Sequence, residues 1–351
     1  LKLKITGLSA ILLISSLSIV TSAPIAAAHF GSGSYVVTLN DGFSLAEVMN
    51  DHSISTENAL LFTAGTPGFS TFLSGSNASS LSTDSRVKAV EQEQIAHTGA
   101  VQTTFPIPLP SPNVTIPWGL DRLDQRSKTL NGSYTSTNDG TGVKVYVVDS
   151  GVNASHPEFA GRITPSLGWS YRAVSAADSA NWFSLAGSCK NLALNPNYLA
   201  NNHEFDVDTF DQTYTPSDYG NTDNDGHGTH VAGTIAGTNT GVAKGVTIIP
   251  VRVLNSCGTG VTTMLKAGLD WVLANHQIGE PAVVNLSVGF ARRDTAIDTA
   301  IADLLAEGVT VVAAAGNSAT TACNSTPAAT PGTISVGASD FTDTETSFSN
   351  Y

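Results

Sequence analysis

Three segments place a reactive side chain at the mouth of a strand or the start of a helix. In the first, the apolar run Val145–Val148 leads directly into Asp149, Ser150 and Gly151. A carboxylate there can accept a hydrogen bond from an imidazole N–H, fix its tautomer and stabilise the imidazolium. It could equally open a turn before Gly151. In the second, Asp225 to Thr234 (DGHGTHVAGT), Gly226 and Gly228 flank His227. Backbone can approach closely at glycine, and a helix beginning here presents the imidazole to a cleft. His230 follows at i+3, so a structural histidine pair is the plain alternative. A zinc site of the H-E-x-x-H type is excluded, because the chain has no such motif. In the third, Val311 to Ser318 (VVAAAGNS), Asn317 follows Gly316 at the end of an apolar run. Its amide N–H could reach a developing oxyanion, or the residue could simply adopt a left-handed turn.

The elements that must position these groups alternate. Val143–Val148, Val246–Leu254, Ala282–Val288, Val309–Ala314 and Thr333–Val336 read as buried strands. His227–Gly237, Thr262–Ala274 and Thr295–Ala306 read as helices. Strands alternating with helices predict an α/β fold with a parallel sheet covered by helices on both faces. Reactive groups then gather at the carboxyl ends of the strands. Residues 168–226 interrupt this order and read as a long polar surface insertion. Ahead of it, residues 29–97 form a small α+β domain. Its strands are Ser34–Leu39, Leu60–Thr63, Phe69–Leu73 and a single closing strand Val87–Ile95, with a short helix at Ser44–Met49. Residues 98–116 are Pro-rich and read as an extended linker, the kind of segment where proteases nick.

The net charge of −13 argues against a nucleic-acid partner, since an acidic chain repels phosphate. Lys2 and Lys4, the apolar run Ile11–Val20 and Ala26–Ala28 have the organisation of a secretory signal over residues 1–28. The apolar run is too short for a stable membrane anchor. The three cysteines, Cys189, Cys257 and Cys323, are an odd number for an exported protein, which implies a free thiol or a partner elsewhere.

Taken together, the three segments resemble the motifs of the subtilisin superfamily, and most closely its proteinase K-like branch. The order Asp, His, then Ser is that family's order. The resemblance covers about Pro117 to Tyr351 and implies a catalytic domain over residues 117–351. It implies Asp149 as the triad acid, His227 as the general base and Asn317 as the oxyanion donor. It also implies substrate-binding walls at Gly258, Thr259, Gly260 and at Ser287, Val288, Gly289. Ala314, Ala315 and Gly316 would edge the primary specificity pocket. Residues 29–97 resemble the inhibitory propeptide of the family, which would make the chain's own N-terminal domain an intramolecular inhibitor.

By the same resemblance, Cys189 is expected to pair with Cys257. No cofactor or catalytic metal is expected, although structural calcium is plausible in a full-length protein. The partners would be protein or peptide substrates, and the product a secreted, extracellular monomer. The family's serine lies in a G-T-S-M-A motif, which the 351 residues do not contain. The chain as given is therefore expected to be an inactive fragment of a secreted serine endopeptidase precursor. The reading from another class is a non-catalytic isoform that binds or inhibits a related protease.

Overall fold

A computed structural model of the chain describes residues 31–98, 116–159, 162–163, 167–171, 223, 225–254 and 258–351. The expected signal segment, residues 99–115 of the expected linker, Cys189 and Cys257 lie outside the described residues. Cys323 is an exposed free thiol.

The N-terminal unit opens with β1 (Gly33–Leu39), followed by α1 (Leu45–Asp51), β2 (Leu60–Phe62), β3 (Gly68–Leu73), α2 (Gly75–Ser82) and β4 (Val87–Gln92). Its strands form an antiparallel sheet in the order β2-β3-β1-β4. Tyr35, Val37 and Leu39 alternate toward α1 and α2, where Val48, Met49, Ala78 and Leu81 close a small core. Helix α2 escaped the sequence reading because GSNASSLS carries almost no apolar signal. It forms because Ser74 caps the Asn77 N–H and because Ala78 and Leu81 are buried.

One expectation needs correction. The run 87–95 is not one closing strand. It breaks after Gln92, and a separate strand β5 (Ile95–Thr98) leaves the N-terminal sheet to join elements from much later in the chain. Its period-two pattern continues across the break, so the sequence alone gives no sign of it.

The remainder is the expected α/β unit. After α3 (Trp118–Asp121) come β6 (Lys144–Asp149), β7 (Trp169–Ser170), α4 (His227–Ala236), β8 (Thr247–Arg252), β9 (Thr259–Val261) and α5 (Thr262–Asn275). Then follow β10 (Ala282–Leu286), β11 (Val288–Gly289), α6 (Thr295–Ala306), β12 (Thr310–Ala314) and β13 (Ile334–Val336). The main sheet is parallel, in the order β13-β12-β10-β6-β8-β7. Its central strands β6 and β8 are rich in β-branched residues and buried on both faces, as a covered parallel sheet requires, while the edge strand β13 is exposed. Two further boundaries differ from expectation. The segment 282–288 divides at Ser287, so that β11 leaves the main sheet. The insertion also begins inside that sheet, since Trp169 and Ser170 form its edge strand beside β8.

The main core joins both units. Val36 and Phe62 of the N-terminal sheet pack in the same apolar cluster as Leu265, Leu269, Ile297, Ile301 and Leu304 of α5 and α6. Leu269 is fully buried there. Leu269→Ala should lower stability by about 2–5 kcal/mol through lost transfer energy and a residual cavity. Ile278→Ala, at a residue 82% exposed, should stay within about 0.5 kcal/mol. Denaturant midpoints of the two variants against the parent check both values.

Candidate active site

In a parallel sheet all carboxyl ends lie at one edge. Asp149 ends β6, Ser287 follows β10 and Asn317 follows β12, and these three strands are neighbours. Asp149 is fully buried. Its carboxylate is compensated from two directions, since Ser150 N donates to Oδ1 at 2.7 Å and His227 Nδ1 lies 2.9 Å from both Oδ1 and Oδ2. That contact directs Nε2 away from the acid, the orientation a general base needs.

The approach of helix α4 to β6 depends on Gly228. A Cβ there would lie 2.1 Å from Gly151 O and 3.1 Å from Asp149 Cβ. Any side chain would push the helix, and with it the imidazole, off the carboxylate.

Burial disfavours the charged form of His227, but the hydrogen bond it donates to Asp149 and the charges of Asp149, Asp225 and Asp223 outweigh it, so the imidazole pKa is raised. Asp225 is also raised, first because surrounding protein displaces water from its carboxyl and then through repulsion by Asp223 and Asp149.

Two positioning residues went unnoticed in the sequence. Asp223 accepts from Ser150 Oγ at 2.9 Å, Gly226 N at 2.8 Å and Thr229 N at 2.9 Å, tying the first turn of α4 to the end of β6. An acidic residue just ahead of a helix start was the available signal. Asn350 is buried and staples the loop that carries Asn317. Its Oδ1 accepts from Ser318 N at 2.9 Å and Thr320 N at 3.2 Å, while Nδ2 donates to Ala315 O at 2.9 Å. Asn317 itself is half-buried in this loop. Ala315 is buried, and Ala314 and Gly316 are half-buried beside it. His230 points elsewhere and is exposed on the side of α4 that lines a cavity of about 580 Å³ with His156 and Leu120.

Thr259 and Gly260 on β9 and Val288 and Gly289 on β11 flank a strand that lies between them. β5 pairs antiparallel with β9 (Ala96 with Gly260, His97 with Thr259) and with β11 (His97 with Gly289, Thr98 with Val288). Thr98 N also donates to Gly258 O at 2.9 Å. The chain's own segment thus fills the groove as the middle strand of three. Carboxylates anchor the unit behind it. Glu91 accepts from Thr295 N at 2.8 Å, and Glu93 from Thr263 N at 3.0 Å, satisfying free N–H groups at the starts of α6 and α5. Asp303 of α6 accepts from Thr66 N at 2.6 Å. Among the described residues no group of three or more His, Cys, Asp or Glu side chains could hold a metal ion, and no helix is long and apolar enough to cross a membrane.

Comparison with known proteins gives the family. The subtilase family model matches residues 140–351. The chain is 40% identical over 291 residues to an extracellular serine proteinase of Thermus sp. (strain Rt41A), covering 83% of this chain and 57% of that one. It is 36% identical over 306 residues to alkaline serine exoprotease A of Vibrio alginolyticus, covering 87% and 45% respectively. It also superposes on the crystal structure of a cold-adapted subtilisin-like serine proteinase with TM-score 0.51 and 37% identity, covering 68% of this chain and 69% of that one. The chain belongs to the subtilase family, with its subtilisin-like α/β fold. It spans 57% and 45% of the first two relatives' lengths.

Two measurements probe the site without turnover. NMR titration should find the His227 imidazole above the ordinary 6.5, and Asp149→Asn should lower it. The stabilisation from this pair should be complete below the ordinary value and fade as pH rises through the raised one. An unchanged titration in the variant would contradict the assigned coupling. Asn350→Ala should cost about 1–3 kcal/mol per buried group left unpaired, read as a drop in the denaturant midpoint.

Proposed function

We propose that the chain belongs to a secreted serine endopeptidase precursor that hydrolyses peptide bonds through an acyl-enzyme. The observation that carries this reading is the contact of His227 Nδ1 with the buried Asp149 carboxylate, 2.9 Å from each oxygen, beside a groove that holds an extended strand. His227 takes the proton of a serine nucleophile and returns it to the leaving amine. Asp149 holds the tautomer and stabilises the imidazolium. Asn317 donates to the oxyanion of the tetrahedral intermediate. The family's G-T-S-M-A serine motif is not among these 351 residues, so on this reading they do not hydrolyse peptides by themselves.

In this reading residues 29–97 are the propeptide, residues 98–116 carry the processing site and residues 117–351 belong to the catalytic domain. β5 then acts as an intramolecular inhibitor, since a substrate backbone and β5 compete for the same partners on β9 and β11. The walls contributed by Ala314, Ala315 and Gly316 are small or apolar, which favours an apolar residue before the scissile bond. Catalysis needs no cofactor. Calcium would be structural, and Cys189 and Cys257 would pair. The mature product acts as an extracellular monomer on protein substrates.

Expression of the complete protein, assayed with peptides bearing an apolar residue before the scissile bond, tests the reading. Asn317→Ala should lower kcat by about 10²- to 10³-fold, the loss typical of deleting an oxyanion-hole donor in a subtilisin. A change in KM alone would remove Asn317 from that role. Activity should rise with pH as His227 loses its proton. Because Asp149, Asp223 and Asp225 raise that pKa, the rise should be centred above the ordinary histidine value, and Asp149→Asn should move it down. If the complete protein hydrolyses no peptide but its residues 29–97 inhibit a related protease, the non-catalytic reading replaces this one.

A further inference from the structure

The loop after β12 carries two residues in the left-handed region, one on each side of Asn317. Gly316 has φ +109° and Ala319 has φ +50°. Glycine enters that region freely, whereas alanine does so at a cost. Such a conformation persists only where the surrounding structure fixes it. The element that fixes it lies some thirty residues further along the chain, in the segment 348–351. Ala319 N donates to Phe348 O at 2.9 Å, Asn350 N to Gly316 O at 2.9 Å, Tyr351 N to Thr320 O at 3.1 Å and Ala322 N to Tyr351 O at 2.9 Å.

The side chain of Asn350 completes this clamp. Its three hydrogen bonds all go to the main chain of the loop, to Ala315 O before Asn317 and to Ser318 N and Thr320 N after it. Asn350 is buried, and the fit is close, since a Cβ on Gly316 would meet its Nδ2. The backbone is thus gripped on both sides of Asn317, and the strained turn at Ala319 is held by the same segment.

Resting on the proteolytic reading above, we propose that Asn350 is a positioning residue for catalysis, which sets the Asn317 amide in place for the oxyanion before the charge develops. A donor oriented in advance has no reorganisation to undergo as the reaction proceeds. A misplacement of about 1 Å can cost about 10²-fold in rate. Asn350 acts through Asn317, so its contribution should vanish once the Asn317 amide is gone.

The complete protein, with Asn350→Ala and Asn317→Ala made singly and together, tests this on a peptide substrate. Asn350→Ala should lower kcat per folded molecule by about 10- to 100-fold, with KM little changed. In the Asn317→Ala background the same substitution should lower kcat by less than about twofold, the scatter of independent sites. Asn350→Asp serves where the alanine variant does not fold. It keeps an acceptor for Ser318 N and Thr320 N and lacks the donor to Ala315 O, so it should lower kcat in the parent and have little effect beside Asn317→Ala. Equal losses in the two backgrounds, or a change confined to KM or to stability, would overturn the positioning role while leaving the proteolytic reading in place. No hydrolysis by the parent would overturn both.

Discussion

A fully buried carboxylate is the constraint that organises this site. Asp149 ends a strand inside the protein, and an ionised group there is tolerable only if donors surround it. The structure supplies one from the backbone at Ser150 and one from the imidazole of His227. The second is available only because α4 starts directly against β6. That approach requires glycine at 228, where any Cβ would meet Gly151 O. It also requires the Asp223 bridge, which ties the helix start to Ser150. Removing any of these would leave the charge uncompensated, so the geometry that favours proton transfer is also the geometry that makes burial of Asp149 affordable.

The docking of the N-terminal unit follows a related logic at lower cost. Helices α5 and α6 run side by side and each begins with backbone N–H groups that need acceptors. Glu93 meets Thr263 N, and Glu91 meets Thr295 N, while Asp294 caps α6 from within by accepting from Ile297 N. Burial raises the pKa of all three carboxyls, and the donors at the helix starts work against that cost. Between these anchors Phe62 covers the buried Lys266, whose ammonium is paired with Asp270. Burial in turn raises the Asp270 carboxyl to about 6 despite the Lys266 charge. Apolar contact supplies the area, and the glutamates fix the direction in which β5 leaves the sheet.

Legibility in the sequence tracked how local the cause was. Helix α6 has the bounds expected from the sequence because its apolar residues repeat at helical spacing. The parallel sheet was legible because each strand is a continuous apolar run between helices. Asp149 and His227 stood out because strand ends and glycine-flanked helix starts are local features. The break at Gln92 was not legible, because it is imposed by partners on β9 and β11 that lie far along the chain. Helix α2 was hidden by its serines. Asn350 looked like an ordinary loop residue, since nothing nearby in sequence indicates that it holds the loop of Asn317. The edge strand Trp169–Ser170 was lost in the polar stretch that follows it.

The groove has the character of an incomplete sheet. β9 and β11 are three and two residues long, and each pairs through its main chain with β5 between them rather than with the other. Any extended backbone of suitable length satisfies both edges at once, as in strand addition generally. Main-chain pairing carries little information about side chains. Discrimination in strand addition comes from the few places where a side chain of the added strand meets a wall that is not backbone. The strand β5 is held in this groove by main-chain bonds, and how firmly it stays depends on the carboxylates that anchor the unit behind it.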